Sequence, residues 1–497
     1  MLLKFRELCS GSVKMCIKRW YSSAHTIYSL SSGQGKCGVA VIRVSGLESL
    51  NALRSLVSFK FVPIPRNAHV RKIFHPKSKE FIDRGLVVWF PGPGSFTGED
   101  SCEFHVHGGP AIVSAVLDAL SCVPGLRPAE PGEFTKRAFY SGKMDLTEAE
   151  GLADLINAET EMQRKQALIQ ANGSLSKKYN FWREKLKRIL AHFEAFIDFA
   201  EDENFDENVL RSILKDVQEI EKEIKEHIED GRRGEILRQG VRAAIVGAPN
   251  VGKSSFINIL AQRPVSIVTD IAGTTRDIVE MCCNISGYPV IISDTAGLRK
   301  KGSDTVENEG MLRARECAKY ADFTIILLDA TQVVRHLSEN PKESIQQYID
   351  KYLKEMEIEI NSSEYIYLVN KTDLISKVPK STEKVFWISC KNSFGLPNAI
   401  DELQKSLKNI CGVPSAEYPI LSQARHRHLL CEALIHLGTF RDYIGVLLNS
   451  TNSPVELDFA IVAEEIRCVI QSIGRITGAV STDEILDVIF KDFCIGK

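Results

Sequence analysis

The sequence predicts a multidomain protein of mixed α+β and α/β class. It comprises an N-terminal α+β domain, a discontinuous all-helical domain, and an α/β domain of the phosphate-loop (P-loop) type inserted into the helical one. Three observations predict this. At 497 residues the chain has room for roughly two to four domains. From Leu146 to about residue 230 there is no proline, and apolar residues recur every three or four positions, as in helices. Between about 239 and 413, apolar strands alternate with helical segments, and one strand runs directly into a Gly-x4-Gly-Lys-Ser loop.

The chain opens on a basic stretch. Lys4, Arg6, Lys14, Lys18 and Arg19 face a single acid, Glu7, among Leu, Phe, Val, Met and Ile, before Arg19-Trp-Tyr-Ser-Ser23. A basic, acid-poor amphipathic start reads as a mitochondrial transit peptide over residues 1–22, and hence predicts the mitochondrial matrix. Its charge is about +4, which leaves the remainder of a chain of net charge −2 near −6. No global basic field therefore marks the chain as a nucleic-acid binder.

Residues 23–143 mix short apolar runs (Val39–Val44, Leu86–Phe90) with turn signals such as Pro91-Gly-Pro-Gly94 and His107-Gly-Gly-Pro110, which is α+β punctuation. Residues 144–238 form the first helical segment. Its periodicity (Leu186, Ile189, Leu190, Phe193, Phe196, Ile197) is interrupted by the acidic stretch Glu201–Glu203 and Asp206-Glu207, read as a solvated loop. Residues 239–413 carry strands at Ala243–Val246, Val290–Ile292, Thr324–Leu328, Tyr365–Val369 and Val385–Ile388. Such alternation predicts a mostly parallel sheet covered on both faces. Residues 414–497 return to helix (Arg427–Leu448, Pro454–Ile473, Asp483–Asp492) and end in Cys494-Ile-Gly-Lys497.

Composition sets the outer limits. With 44% hydrophobic and 25% charged residues, wholesale disorder and a simple coiled coil are excluded. No apolar run is long enough to span a membrane. The 13 Cys show no CxxC pair and no metal-ligand spacing, which reads as reduced thiols.

The chemistry concentrates in the α/β region. In Gly247-Ala-Pro-Asn-Val-Gly252-Lys253-Ser254 the glycines let backbone N–H groups wrap phosphates, and Lys253 reaches the β and γ oxygens. Ser254 places a hydroxyl on Mg²⁺; Asn250, Val251 and Ser255 complete the nucleotide-binding loop. Asp294-Thr-Ala-Gly297 follows the strand Val290–Ile292, where Asp294 can hold Mg²⁺ through water and the Gly297 N–H can meet the γ-phosphate. Asn370-Lys371-Thr-Asp373 follows the next-to-last strand, and the Asp373 carboxylate can accept both N–H groups of a guanine edge, which adenine cannot offer. Ser389-Cys-Lys391 can close over the base. Four elements in order at strand ends predict a GTP-binding domain. Between them, Gly273-Thr274-Thr275-Arg-Asp277 is placed as a switch segment, with Thr275 completing the Mg²⁺ shell. Many GTPases orient water with a Gln after Asp-x-x-Gly, but Leu298 stands there. Asn250 as a monovalent-cation ligand, or Arg276 or Arg299, are the alternatives the residues leave open.

With these motifs the chain closely resembles the MnmE (TrmE) family of tRNA-modification GTPases, in its mitochondrial branch. The markers are Phe90-Pro-Gly-Pro-Gly-Ser-Phe-Thr-Gly-Glu-Asp100, Pro131-Gly-Glu-Phe-Thr-Lys-Arg-Ala-Phe139, Gly142-Lys-Met-Asp-Leu146, the GTPase set, and the terminal Cys-Ile-Gly-Lys. The resemblance implies a K⁺ ion near the β–γ bridge held by Asn250, Thr269, the Ile271 carbonyl and Thr274. It implies a water-orienting glutamate, Glu307, in Val306-Glu-Asn-Glu-Gly310, with Glu309 adjacent. It further implies that the N-terminal domain binds 5-formyltetrahydrofolate or a related methylene or formyl folate through Arg43, Glu103, Lys143 and Lys497. Cys494, three residues from the end, is the candidate catalytic thiol, the alternative being a tail that only completes the folate pocket. The implied partners are a second copy in a homodimer, an MnmG-type FAD-dependent flavoprotein and mitochondrial tRNA, modified at position 5 of the wobble uridine. One departure is Ser31-Ser-Gly-Gln-Gly-Lys36 where the family has Pro-Pro-Gly. His105-Val-His107 suggests a metal pair, but a structural role is favoured. Two rivals, a ribosome-assembly GTPase and a folate-dependent aminomethyl transferase, each account for one half of the chain only.

Overall fold

The computed structural model describes residues 25–58, 62–200, 207–229, 231–261, 280–293, 316–360, 364–382, 384–449 and 459–480, with Leu486, Ile489, Phe490, Phe493 and Gly496. These form two compact units: residues up to Ala153 together with those from Gly474 onward, and Asp154–Ile473.

The first unit is built on strands β1 (Thr26–Leu30), β2 (Cys37–Ser45), β3 (His69–Phe74), β4 (Phe81–Phe90), β5 (Ser101–Gly108) and β6 (Leu126–Pro128). Helices α1 (Ser49–Leu56), α2 (Pro110–Ser121), α3 (Glu133–Tyr140) and the start of α4 (Leu146–Asn157) complete it. Sheet order is β3-β4-β5-β2-β1-β6, antiparallel except for the β1–β6 pair. Period-two alternation sorts β5. Cys102, Phe104 and Val106 enter a core with Ile42, Val44, Leu53 and Leu120, while Glu103, His105 and His107 face the other way.

The C-terminal tail belongs to this unit. Leu486, Phe490 and Phe493 bury themselves on Leu146 and Ala149; each is worth roughly 1.5–3 kcal/mol of transfer. Gly132 (φ +68°) and Gly496 (φ +98°) lie against the Phe490 and Leu30 carbonyls, where any Cβ would collide. The Ser31 hydroxyl donates to the Gly496 carbonyl at 3.0 Å. The loop that departs from Pro-Pro-Gly therefore contributes a contact to the tail.

The second unit contains α5 (Glu161–Ala171), α6 (Ser174–Ala200), α7 (Glu207–Glu229), α8 (Gly231–Gln239), β7 (Val241–Val246), α9 (Lys253–Ala261), β8 (Glu280–Ile285), β9 (Tyr288–Ser293), β10 (Phe323–Asp329), α10 (Ala330–Glu339), α11 (Ile345–Glu355), β11 (Glu364–Asn370), β12 (Val385–Trp387), α12 (Leu396–Cys411), α13 (Ala424–Asn449) and α14 (Phe459–Thr477). Long helices pack on Trp182, Leu186, Phe193 and Phe440, fully buried side chains at helical spacing. The second sheet runs β12-β11-β10-β7-β9-β8 and is parallel apart from the β8–β9 hairpin. Every residue of β10 is buried, as a central parallel strand requires. The expected strands and the helix Arg427–Leu448 fall inside observed elements, except that Val385–Ile388 runs one residue past β12. Most of the acidic stretch 201–207 and the helix Asp483–Asp492 lie outside the described residues, as does the transit segment.

Candidate nucleotide site and outer-face site

In the second unit parallel strands direct their C-terminal ends to one edge. β7 ends at Val246 and enters the phosphate loop, β11 ends at Asn370, and β12 is followed by Ser389. The loop bends sharply, with Asn250 at φ +62° and Gly252 at φ +103°. Asparagine tolerates the left-handed region and glycine is free there. A Cβ on Gly252 would also strike the Asn370 amide nitrogen.

Asn370 is buried and holds the edge together. Its Nδ2 donates to the Val251 carbonyl at 2.8 Å, and its Oδ1 accepts from the Cys390 N–H at 3.0 Å. One side chain thereby joins the phosphate loop, the Asn-Lys-x-Asp segment and the Ser-Cys-Lys segment. Lys253, in the first turn of α9, donates its ammonium to the Gly247 and Ala248 carbonyls at 2.7 and 2.9 Å. Ser254 and Ser255 are exposed beside it at the helix N-terminus, where a phosphate and its metal are favoured.

The base-reading segment is equally defined. The Ser389 hydroxyl donates to Asp373 Oδ1 at 2.7 Å, and this bond, with Lys391 and Lys371 nearby, holds the exposed carboxyl below its ordinary value. Asp373 is an anion at neutral pH, suited to the two donors of a guanine edge. The Ser389 oxygen also accepts the Lys391 N–H at 3.3 Å. Lys371 (φ +72°) pairs with Asp329 Oδ2 at 2.7 Å. Burial works to raise Asp329, but Lys371 and Thr331 outweigh it and keep the carboxyl below its ordinary value.

In the first unit, Arg43 and Glu103 are register partners on β2 and β5, bonded at 3.0 Å. Burial raises Glu103, yet hydrogen bonds and charge from His105 (3.1 Å) and Arg43 win and lower it. The Arg43 guanidinium lies over Phe96 and Phe134, 5.0 and 5.8 Å from their centroids, with Nη1 buried and unbonded. Lys143 is exposed, and its Cε lies near Gly98 of the same loop as Phe96. Arg43, paired with Glu103, and Lys143 thus both lie against the loop 91–100.

A buried network holds that loop. Arg137 donates to Glu99 Oε2 and Glu133 Oε1, both at 2.9 Å; Arg127 clamps Glu133 bidentately; and the Ser45 hydroxyl bonds Glu99 and Thr97. His107 and His105 do not form a metal pair. His107 Nδ1 bonds Asp83 at 2.9 Å, while His105 bonds Glu103. No group of three metal-ligating side chains occurs among the described residues.

Thr269, Ile271, Thr274, Thr275, Asp294, Gly297, Glu307, Cys494 and Lys497 lie outside the described residues. Sequence reasoning assigned no role to Asp329, Tyr352 or Asp83. Only Asp329 had a signal, its place at the end of an apolar strand.

Fold and site together define a P-loop guanine-nucleotide-binding protein. The model of the GTP-binding protein TrmE N-terminus matches residues 26–143, and the MnmE helical domain model matches 146–494. The mitochondrial 5-taurinomethyluridine-[tRNA] synthase subunit of Danio rerio is 48% identical, covering 100% of this chain and 96% of that protein. Its Homo sapiens counterpart is 46% identical, covering 99% of this chain and 98% of that protein. The tRNA modification GTPase MnmE of Rickettsia bellii is 42% identical, covering 95% and 100%. The chain belongs to the MnmE (TrmE) family.

Proposed function

We propose that this protein is a mitochondrial, K⁺-stimulated GTPase. In this reading, its hydrolysis cycle drives modification of position 5 of the wobble uridine of mitochondrial tRNAs. The coarser part, a GTPase of tRNA modification in the mitochondrion, follows from family membership. The observation that carries the reading is the junction at Asn370, which joins three nucleotide-binding segments at one sheet edge.

Ser254 and Thr275 would hold Mg²⁺, with Asp294 acting through water. Asn250, Thr269, Thr274 and the Ile271 carbonyl would hold K⁺, which supplies positive charge at the β–γ bridge. Glu307 would orient the attacking water, a task Leu298 cannot perform. Gly297 would meet the γ-phosphate. The exposed Asn250 in its left-handed turn is compatible with a ligand role.

The Arg43–Glu103 pair supports a folate site. Its buried Nη1 donor suits a carboxylate, and the ionised Glu103 suits the donor edge of a pterin. Gly496, docked beside Leu30, brings its neighbours in sequence, Cys494 and Lys497, into this reading as thiol catalyst and folate ligand. Bound folate would supply the one-carbon unit; a flavoprotein partner of the MnmG type and a homodimer pairing two GTPase domains complete the proposal. The domain division 23–143, 144–238, 239–413 and 414–497 is part of it.

Two assays on the full chain test this. GTP turnover in K⁺ is expected to exceed turnover in Na⁺ severalfold, with the advantage lost in Asn250→Ala. Calorimetric titration with 5-formyltetrahydrofolate is expected to show binding that Glu103→Gln weakens about tenfold or more. Equal turnover in both salts overturns the cation reading, and no folate heat overturns the one-carbon reading.

A further inference from the structure

We infer that Tyr352 is a positioning residue for GTP hydrolysis, tethering the phosphate loop through its hydroxyl. The inference rests on the GTP-binding reading of that loop. The Ala248 N–H donates to Tyr352 Oη at 2.6 Å, a contact spanning 104 residues of sequence. The neighbouring carbonyls, those of Gly247 and Ala248 itself, accept from the Lys253 ammonium. The Ala248 residue is therefore gripped at both ends, by a tyrosine on its amide and a lysine on its carbonyl.

The two grips differ in permanence. A P-loop lysine serves the β and γ oxygens of a bound nucleotide, so Lys253 must release its carbonyls when GTP arrives. Tyr352 holds an N–H and has no such competing role, so it keeps the loop's entry fixed with and without nucleotide. Burial pushes the Tyr352 hydroxyl up to about 12, so it stays protonated and neutral at any physiological pH. Its helix, α11, is set by a Ser344–Gln347 capping box, and its ring stacks on Tyr348 one turn earlier, centroids 6.3 Å apart. The tether is thus anchored to a rigid element rather than to another loop.

Tyr352→Phe keeps the ring and removes only the acceptor, orphaning the Ala248 N–H and lowering the fraction of loops shaped for phosphate. In the full-length protein, a fluorescent GDP analogue is expected to dissociate roughly three- to thirtyfold faster. KM for GTP is expected to rise by a similar factor with kcat within about twofold, because ground and transition states lose the same support. Amide hydrogen exchange of the segment 247–252 is expected to accelerate. Tyr348→Phe, a hydroxyl deletion one turn away on the same helix, is the control and is expected to leave dissociation unchanged. Unchanged dissociation and exchange in Tyr352→Phe, or an equal acceleration in Tyr348→Phe, overturns the inference.

Discussion

The two sheets solve the placement of chemistry in opposite ways. In the parallel sheet the central strand is buried throughout and its neighbours are mostly buried, so functional groups stand in the turns beyond their ends, where loops are free to present N–H groups and carboxylates. In the mainly antiparallel sheet one face is core, and the other carries Arg43, Glu103 and His105 on the strands themselves. A loop site advertises itself as a contiguous motif. A strand-face site is scattered at alternate positions and looks like ordinary surface. The ways of holding the sites differ as well: a neutral buried amide, Asn370, joins the loops of the first kind. A charged network of Arg127, Glu133, Arg137 and Glu99 braces the second.

Substitutions can break each arrangement separately. The largest effect is expected from Asp373→Asn, which exchanges an acceptor for a donor at the guanine edge. GTP affinity should fall at least about a hundredfold while xanthosine triphosphate gains, measured by nucleotide competition. Arg137→Met should strip the largely buried Glu99 of its ion-pair partner, while Glu133 keeps Arg127, and cost the first unit about 3 kcal/mol, seen as an early calorimetric transition with GTP turnover retained.

Acid should separate the units next. His227, held by Lys178 and Tyr179, is pushed down to about 3, first by burial and then by the charges of Lys178 and His426. Its folded value lies below its unfolded one, so its contribution is full above about pH 6.5 and is lost as pH falls towards 3. By pH 5 the second unit should have lost about 2 kcal/mol. The carboxyls of the first unit, Glu103, Glu133 and Asp83, are also lowered, each with burial opposing and hydrogen bonds winning. Their contribution persists until pH falls below the unfolded carboxyl range near 4. Melting at pH 5 against pH 7.5 should therefore shift the second unit more. The smallest effect is expected from Ser389→Ala, which removes one hydrogen bond from the exposed Asp373 and should raise KM for GTP only a fewfold.

This contrast also explains what could be read in the sequence. The strands of the parallel sheet and its binding segments were legible because each motif is local, bounded by an apolar run and a helix start. The N-terminal residues were reached only through resemblance: Glu99, Glu133 and Arg137 stood inside family markers with no visible task. Their task is to face one another: Glu133 and Arg137 pair at i,i+4 on α3, but the bond from Arg137 to Glu99 is a three-dimensional pairing that no periodicity encodes. Asp83 was hidden for the same reason. Tyr352 had no local signal, since its partner Ala248 lies in a different layer of the unit.

The central claim is that both sites serve one reaction on tRNA. Mass spectrometry of nucleosides from mitochondrial tRNAs tests it most directly, in cells depleted of this protein and rescued with wild type, Asp373→Asn, Glu103→Gln or Cys494→Ser. The position-5 modification of the wobble uridine should vanish on depletion and return with wild type alone. Its persistence in depleted cells, or full rescue by any of the three variants, would contradict the account.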